Sequence, residues 1–418
     1  MTDIAPAPRL HPTRGQGLAL ASASGLGALS NFVIMFLMTR TLPDAEQQSE
    51  ALAFWSVLTG LFGVLVGVQN ESTRATAAVR HGRPERGRLL SPVLGVGLAA
   101  AVLVSVAAAV GIHWVLPSHP LWATTLLVAT ALCYAVYALV LGAMAGTGRW
   151  AGLAGTLTAE VAVRVIAVAG VALTVRSLFG YQTAMTSAVV VMTAALCAIP
   201  ATRALLTSRS DREARVSLRQ LGMAILSAAS SAVMITGYPA LMKASLRGEP
   251  QLAAWMLAVS ITRAPVMMPI ITFQQVAVAR FVAHRRGTLR AMVVPVALVL
   301  AVGTVAAVGA GLLGPWFLRL FDPSFHIGGW ALALLTLAST AMAALVLVGT
   351  AALALDGHRV YGIGWALAAV TSITVLFTVH LPVLPRLLAS LVAGPVVGAV
   401  ILLGWLLVQS RRTSPNTE

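Results

Sequence analysis

The sequence predicts an all-α integral membrane protein: about twelve transmembrane helices in two pseudo-symmetric six-helix lobes, with both termini cytoplasmic. Three observations carry that prediction. First, 58% of the 418 residues are hydrophobic and only 10% are charged, with a mean hydropathy of +0.88. Soluble domains carry roughly 25% charged residues. Second, the apolar residues gather into twelve runs, each near or above the ~20 residues that a helix needs to cross a bilayer. Third, Lys and Arg alternate from one connecting segment to the next with a strong bias to one side.

The first six runs fall at about 16–39, 49–79, 89–115, 120–146, 150–178 and 181–206. The second six fall at about 217–242, 251–283, 289–318, 328–355, 360–380 and 384–408. Before the first lies a short basic tail, MTDIAPAPRLHPTRGQG. Apolar sequence continues past the small residues ALASASG to Met38, so the run reads as an uncleaved first helix and not as a signal peptide. With the N-terminus inside, twenty of the 28 Lys and Arg fall in cytoplasmic segments. Six fall outside: Arg40, Arg176, Lys243, Arg247, Arg319 and Arg386. Arg164 and Arg263 remain within runs. The formal charge of +15 is therefore a property of the cytoplasmic loops and implies no nucleic-acid partner. Cys133 and Cys197 both sit inside apolar runs, which argues against a disulfide or a metal site, and His113, His119, His326 and His380 form no ligand spacing.

A weak internal repeat accompanies the charge pattern. TGRWAGLAG (147–155) matches DGHRVYGIG (356–364) at an offset of 209, which pairs Gly148 with Gly357 and Gly155 with Gly364. The second run opens LAFW (52–55) and the eighth LAAW (252–255). Their common order argues for an N-terminal lobe over 1–207 and a C-terminal lobe over 220–418, joined by a basic cytoplasmic linker at 208–219.

Polar residues inside the runs are the candidates for function. Arg263 lies near the middle of the eighth run, where a cation costs at least ~2.5–3.5 kcal/mol on insertion scales and faces a partner or a water-filled cavity. Pro265 beside it removes a backbone donor. Helical spacing puts Arg263, Met267, Ile270 and Gln274 on one side. In the fifth run Glu160 and Arg164 are four apart and positioned to pair. Two readings stand for them: a structural pair that locks helices together, or an acid that takes a proton or aims Arg164 at a substrate. The second run carries Gln69, Glu71 and Arg74, with Glu71 and Arg74 three apart. Against a functional role there stands a helix that has already reached the cytoplasmic interface, with Arg74 snorkelling. Asn31 in the first run shares a small-residue face with Ser22, Gly25 and Ser30, which helix packing alone also explains.

The sequence has no Walker motif, no HExxH and no acidic pair in a sizeable loop. These residues suit moving something, so neither an enzyme, a catalytic residue nor a metal site is expected.

At this point four stretches carry a resemblance: SGLGALSNFVIMFLMTRTLP at the start, GVQNESTRA in the second run, TRAPVMMP in the eighth, and ALALDGHRVYGIGW near the tenth and eleventh. The chain resembles the multidrug/oligosaccharidyl-lipid/polysaccharide (MOP) flippase superfamily, with a MATE-like architecture. Within it, the chain is most similar to actinobacterial polysaccharide-biosynthesis membrane proteins of the O-antigen flippase type. The resemblance implies a plasma-membrane protein in which two lobes alternate access to a central cavity and carry a lipid-linked oligosaccharide outward. It implies cavity cations for the pyrophosphate, a role open to Arg263, Arg164 and Arg74, because the guanidinium fork donates two hydrogen bonds to phosphate oxygens. The implied partners are membrane lipids, the lipid-linked glycan and glycan-synthesis proteins. No cofactor is implied, and Glu71 and Glu160 are the buried acids available for coupling to an H+ or Na+ gradient.

The chain departs from two neighbours. Lipid II flippases typically have fourteen spans, and drug exporters commonly place an acid in the first span, where this chain has only Asn31. An exporter of amphipathic compounds and a non-transporting scaffold for envelope synthesis are the alternatives.

Overall fold

The computed structural model describes residues 13–283, 288–355 and 357–412, with side chains described except at 227, 268–283, 288–290, 358 and 411–412. Among the described residues are twelve long helices, of 21 to 36 residues. In chain order they are α1 (Arg14–Thr41), α2 (Ala45–Arg80), α3 (Leu90–Val115), α4 (Pro120–Gly146), α5 (Trp150–Leu173) and α6 (Leu178–Ala198). They continue with α7 (Ala214–Ile235), α8 (Leu252–Ala283), α9 (Thr288–Phe321), α10 (Gly329–Ala354), α11 (His358–Thr378) and α12 (Val383–Arg412). Eleven are long and apolar enough to cross a membrane; α8 is 32 residues long, with Leu252–Met267 as its described apolar part. The protein is an all-α, multi-pass membrane protein.

Local chemistry sets several boundaries. Thr13 caps α1 in a reciprocal capping box with Gln16, and Asp44 caps α2 by accepting from the Gln47 N–H at 2.7 Å. Two predicted boundaries are corrected. The sixth run does not continue as one helix to 206: α6 ends at Ala198, and a short helix Pro200–Arg203 and a 3-10 turn Ala204–Thr207 follow. Pro200 has no N–H to give, and it pushes Ile199 into an extended conformation (φ −74°, ψ 121°). The seventh run also breaks. It stops at Ile235 and restarts as the short helix Tyr238–Ser245, with Pro239 in its first turn. By contrast α8 runs unbroken past Pro265.

The chain divides into two compact units, 1–229 and 230–418. In the first, α4 is central and packs against α2, α3 and α6, while α5 packs against α1 and α6. In the second, α10 is central and packs against α8, α9 and α12, while α11 packs against α12. The second, third, fourth and sixth helices of each half thus repeat one scheme. So does the lipid-facing pattern. In α3, Leu94, Leu98, Leu103 and Val110 stand exposed, and in α9 Leu298, Val305, Leu312 and Leu313 do. Such apolar stripes are stable facing hydrocarbon and would be unstable facing water.

A second repeated feature sits at one end of each unit. Glu50, in the first turns of α2 and fully buried, accepts from the Ser118 N–H at 3.1 Å and from its hydroxyl at 2.6 Å. Gln251, just before α8, donates to the Ser324 carbonyl and accepts from the His326 N–H, both at 3.2 Å. In each unit the start of the second helix clasps the connection between the third and fourth.

The segment over 208–219 is folded back onto the first unit. Arg209–Ser210 pairs antiparallel with Gly87–Arg88, and Ser210 and Asp211 are buried.

Candidate functional site

In the second unit, the break between α7 and the short helix Tyr238–Ser245 meets α8 at Arg263. Arg263 lies eleven residues into α8, about 16 Å along it. The break is therefore well inside the apolar zone, where backbone groups need a partner from the protein. Arg263 supplies one. Its Nη1 donates to the carbonyls of Met234 at 2.8 Å and Ile235 at 3.0 Å, in the last turn of α7. A cation at this end of a helix is favoured by the orphan carbonyls and by the helix dipole. The guanidinium carbon stands 4.9 Å from the Tyr238 ring centroid, and the Tyr238 hydroxyl donates to Ser390 at 2.9 Å. Arg263 is only 6% exposed, yet among the described residues its Nε and Nη2 have no hydrogen-bond partner. Those two groups form one edge of the guanidinium, the geometry that grips two oxygens of one phosphate or carboxylate.

In the first unit, Arg164 on α5 pairs with Glu160 one turn earlier, and both are buried. The Arg164 guanidinium lies 5.4 Å from the Trp55 ring and 5.2 Å from Phe62, both on α2. Tyr134 stacks on Phe62 at 4.5 Å and neighbours Tyr137. Cation–π contacts of this kind stabilise a desolvated guanidinium by up to ~2 kcal/mol. Arg164 Nε and the Tyr137 hydroxyl lack partners among the described residues.

The third cluster lies nine residues further down α2 than Phe62, about 13 Å away along the axis. Arg74 donates to both oxygens of Glu71, at 2.7 and 2.8 Å, and to both oxygens of Asp211, at 3.0 and 3.3 Å. Arg83 reaches Asp211 at 3.3 Å. The Glu71–Arg74 pair is thus completed by a third group from the segment that follows α6, and the Arg74 fork is fully engaged. Burial pushes the Asp211 carboxyl up, but the hydrogen bonds and charges of Arg74 and Arg83 outweigh it and hold the group below its ordinary range.

The structure therefore brings Glu160 and Arg164 together, and Glu71 with Arg74, as two separate clusters. Gln69 is half-buried where α2 crosses α4, and Asn31 is exposed on α1. Gln274 falls outside the residues whose side chains are described. Sequence reasoning missed Asp211, the aromatic group around Arg164, and Glu50. Glu50, at the very start of the second apolar run, joins Glu71 and Glu160 as a buried acid. A signal for Trp55 and Phe62 existed in their spacing of seven on one helical face.

The architecture is that of the MATE transporters of the MOP superfamily. It matches an inward-facing multidrug resistance MATE family transporter of that superfamily with a TM-score of 0.73 at 15% identity, over 93% of this chain and 96% of that one. An outward-facing MATE structure matches at 0.68 and 13% identity, over 96% and 95%. A MOP superfamily transporter from Pyrococcus furiosus Vc1 (DSM3638), described as having a binding pocket of reverse polarity that suggests a different function, matches at 0.63 and 11%, over 94% of each chain.

By sequence, the chain belongs to the family of two Mycobacterium tuberculosis (strain ATCC 25618 / H37Rv) proteins, uncharacterized proteins Rv1510 and Rv3630. It is 32% identical to the first over 96% of this chain and 94% of that one. It is 30% identical to the second over 92% and 90%. No family model matches.

Proposed function

We propose that this protein is a flippase that moves a lipid-linked oligosaccharide from the cytoplasmic to the outer leaflet by alternating access, with Arg263 as a handle for its phosphate groups. One observation carries the reading: Arg263 is held by its Nη1 at a helix break while its Nε/Nη2 edge is left without a partner among the described residues. A buried donor pair left unsatisfied is costly, and an arriving phosphate satisfies it. The break at Thr236–Gly237 provides the movable element, because a hinge between two packed helices shifts as a step between discrete states. In the first unit Glu160 already holds a cation in Arg164, so the buried charge there does not favour a cationic cargo. An H+ or Na+ gradient drives the cycle in this reading, and no bond is made or broken by the protein.

The fold likeness to multidrug resistance transporters favours a second reading, export of amphipathic compounds. The Pyrococcus furiosus protein, with its pocket of reverse polarity, supports the view that this fold does not set the charge of the cargo. Cargo sign separates the two readings. The test is depletion of the protein followed by measurement of lipid-linked glycan on the inner leaflet, with wild type and Arg263→Ala as complementing copies. Accumulation that only the wild type clears supports the flippase. No accumulation on depletion overturns it in favour of the exporter.

A further inference from the structure

The predicted orientation leaves only six Lys and Arg on the non-cytoplasmic side, and the structure gathers two of them, Arg247 and Arg386, around one cavity of about 640 Å³ in the second unit. They come from different connections. Arg247 follows the short helix Tyr238–Ser245, and Arg386 opens α12 after the α11–α12 connection. Selection for orientation keeps such cations scarce outside, so bringing two of six together calls for a reason beyond topology.

Arg386 is aimed by the backbone. Its Nε donates to the Leu376 carbonyl at 2.7 Å and its Nη2 to the Ser245 carbonyl at 3.3 Å, which ties the two connections together and fixes the guanidinium at the cavity wall. Glu249 is the one carboxylate of the lining, so the two arginines leave the cavity a net positive site. The wall also carries apolar side chains: Trp255, half-buried, and the Leu381–Pro385 stretch with its two prolines. Gly248 turns the chain with a φ of +78°, a conformation that side chains other than glycine rarely adopt. A cation pair beside Trp255 and the Leu381–Pro385 stretch, at the end of the helices predicted to face the lipid headgroups, matches an amphiphile with a phosphate head.

We infer that this cavity is a binding site for a phosphate-bearing lipid on the outer face, with Arg386 and Arg247 on the phosphate and Trp255 and Leu384 against its apolar chain. The phosphate has two sources, a prenyl diphosphate carrier or the headgroup of a bulk anionic lipid. The site stands on the geometry of the second unit and is independent of the flippase reading. Binding to purified protein is also scored separately from transport.

The experiment uses the full chain in nanodiscs of neutral lipid and follows Trp fluorescence and native mass spectrometry on addition of farnesyl diphosphate. Inorganic pyrophosphate and phosphatidylglycerol serve as competitors. Saturable binding of farnesyl diphosphate is expected, with pyrophosphate a weak competitor. Binding is expected to weaken roughly tenfold in Arg386→Gln, from loss of a charge-assisted pair. Arg247→Gln, at an exposed position, should weaken it several-fold. Phosphatidylglycerol that competes poorly assigns the site to a prenyl diphosphate, whereas equal competition assigns it to a bulk lipid headgroup; both support a phosphate-lipid site. Absence of saturable binding, or binding unchanged in Arg247→Gln and Arg386→Gln alike, overturns the inference.

Discussion

The Arg263 guanidinium bridges a helix break and an aromatic ring: Nη1 donates to the Met234 carbonyl at 2.8 Å, and the guanidinium carbon sits 4.9 Å from the Tyr238 ring. Both contacts lie where α7 ends and the next helix begins. The same residue thereby closes the orphan carbonyls of a helix that stops within the apolar zone and keeps an edge with no partner among the described residues, which the proposed reading gives to an anion. Arg263→Ala is expected to abolish transport while membrane insertion and yield persist. Arg263→Lys keeps the charge and one donor for Met234 but has no second edge, so partial activity is expected. Complementation assays on both variants check this. Wild-type rates in a well-expressed Arg263→Ala protein would sink the handle.

Glu160 and Arg164 act as a unit in the first lobe, so their substitutions should be non-additive. Removing either partner leaves a buried, uncompensated charge, worth about 3–5 kcal/mol. Glu160→Gln with Arg164→Ala should cost less than the two single changes together, by roughly 0.5–3 kcal/mol. Thermal unfolding in detergent across the double-mutant cycle measures it; strict additivity would dissolve the pair.

Asp211 fastens the segment after α6 to α2, and its carboxyl is held below the ordinary range by Arg74 and Arg83. A depressed carboxylate stabilises the fold above its unfolded-state pKa of about 3.9, and the contribution is lost as pH falls through the lower folded value. Acid should therefore loosen the wild type below about pH 4, and Asp211→Asn should flatten that limb. Arg74 is 34% exposed, so after discounting for solvent the neutral-pH cost is about 0.2–1 kcal/mol. Trypsin cleavage at Arg209, Arg212 and Arg215 should accelerate in Asp211→Asn. An unchanged digestion rate would show that the two-residue strand pairing alone holds the segment.

The crossing of α2 and α4 depends on Gly142 and Gly146. A Cβ at Gly142 would press on the Gln69 carbonyl and Ser72, and one at Gly146 on Thr76 and the Thr73 carbonyl. Close backbone approach of this kind drives helix association where lipid offers no hydrophobic gain. Gly146→Leu should separate the helices and lower the unfolding temperature by several degrees, whereas Gly155→Ala, with open space around it, should have no effect. Equal melting of the two variants would refute the assignment.

The paired glycines of the internal repeat show why equal letters do not mean equal roles. Gly148 turns the chain with a φ of +73°, a position for glycine on backbone grounds. Gly357 has an ordinary φ of −80° and is small because the Trp405 ring and the Ala352 carbonyl crowd it. The sequence aligns the two; only packing distinguishes their reasons.

What the sequence by itself determined is the number and order of the long helices and the residues that carry charge into them, and its cation count predicts their orientation. These follow from local quantities: run length against bilayer thickness, and the count of cations in each connection. The Glu71–Arg74 and Glu160–Arg164 pairs were legible for the same reason, because helical spacing is local. Only the tertiary structure decided what those charges meet. Asp211 lies 137 residues from Arg74, Trp55 and Phe62 come from another helix than Arg164, and the carbonyls on Arg263 become available only because α7 breaks. Partners so distant in sequence leave no periodicity to read; they are set by which helix faces pack, and each cation takes whatever ring, carbonyl or carboxylate that packing leaves beside it.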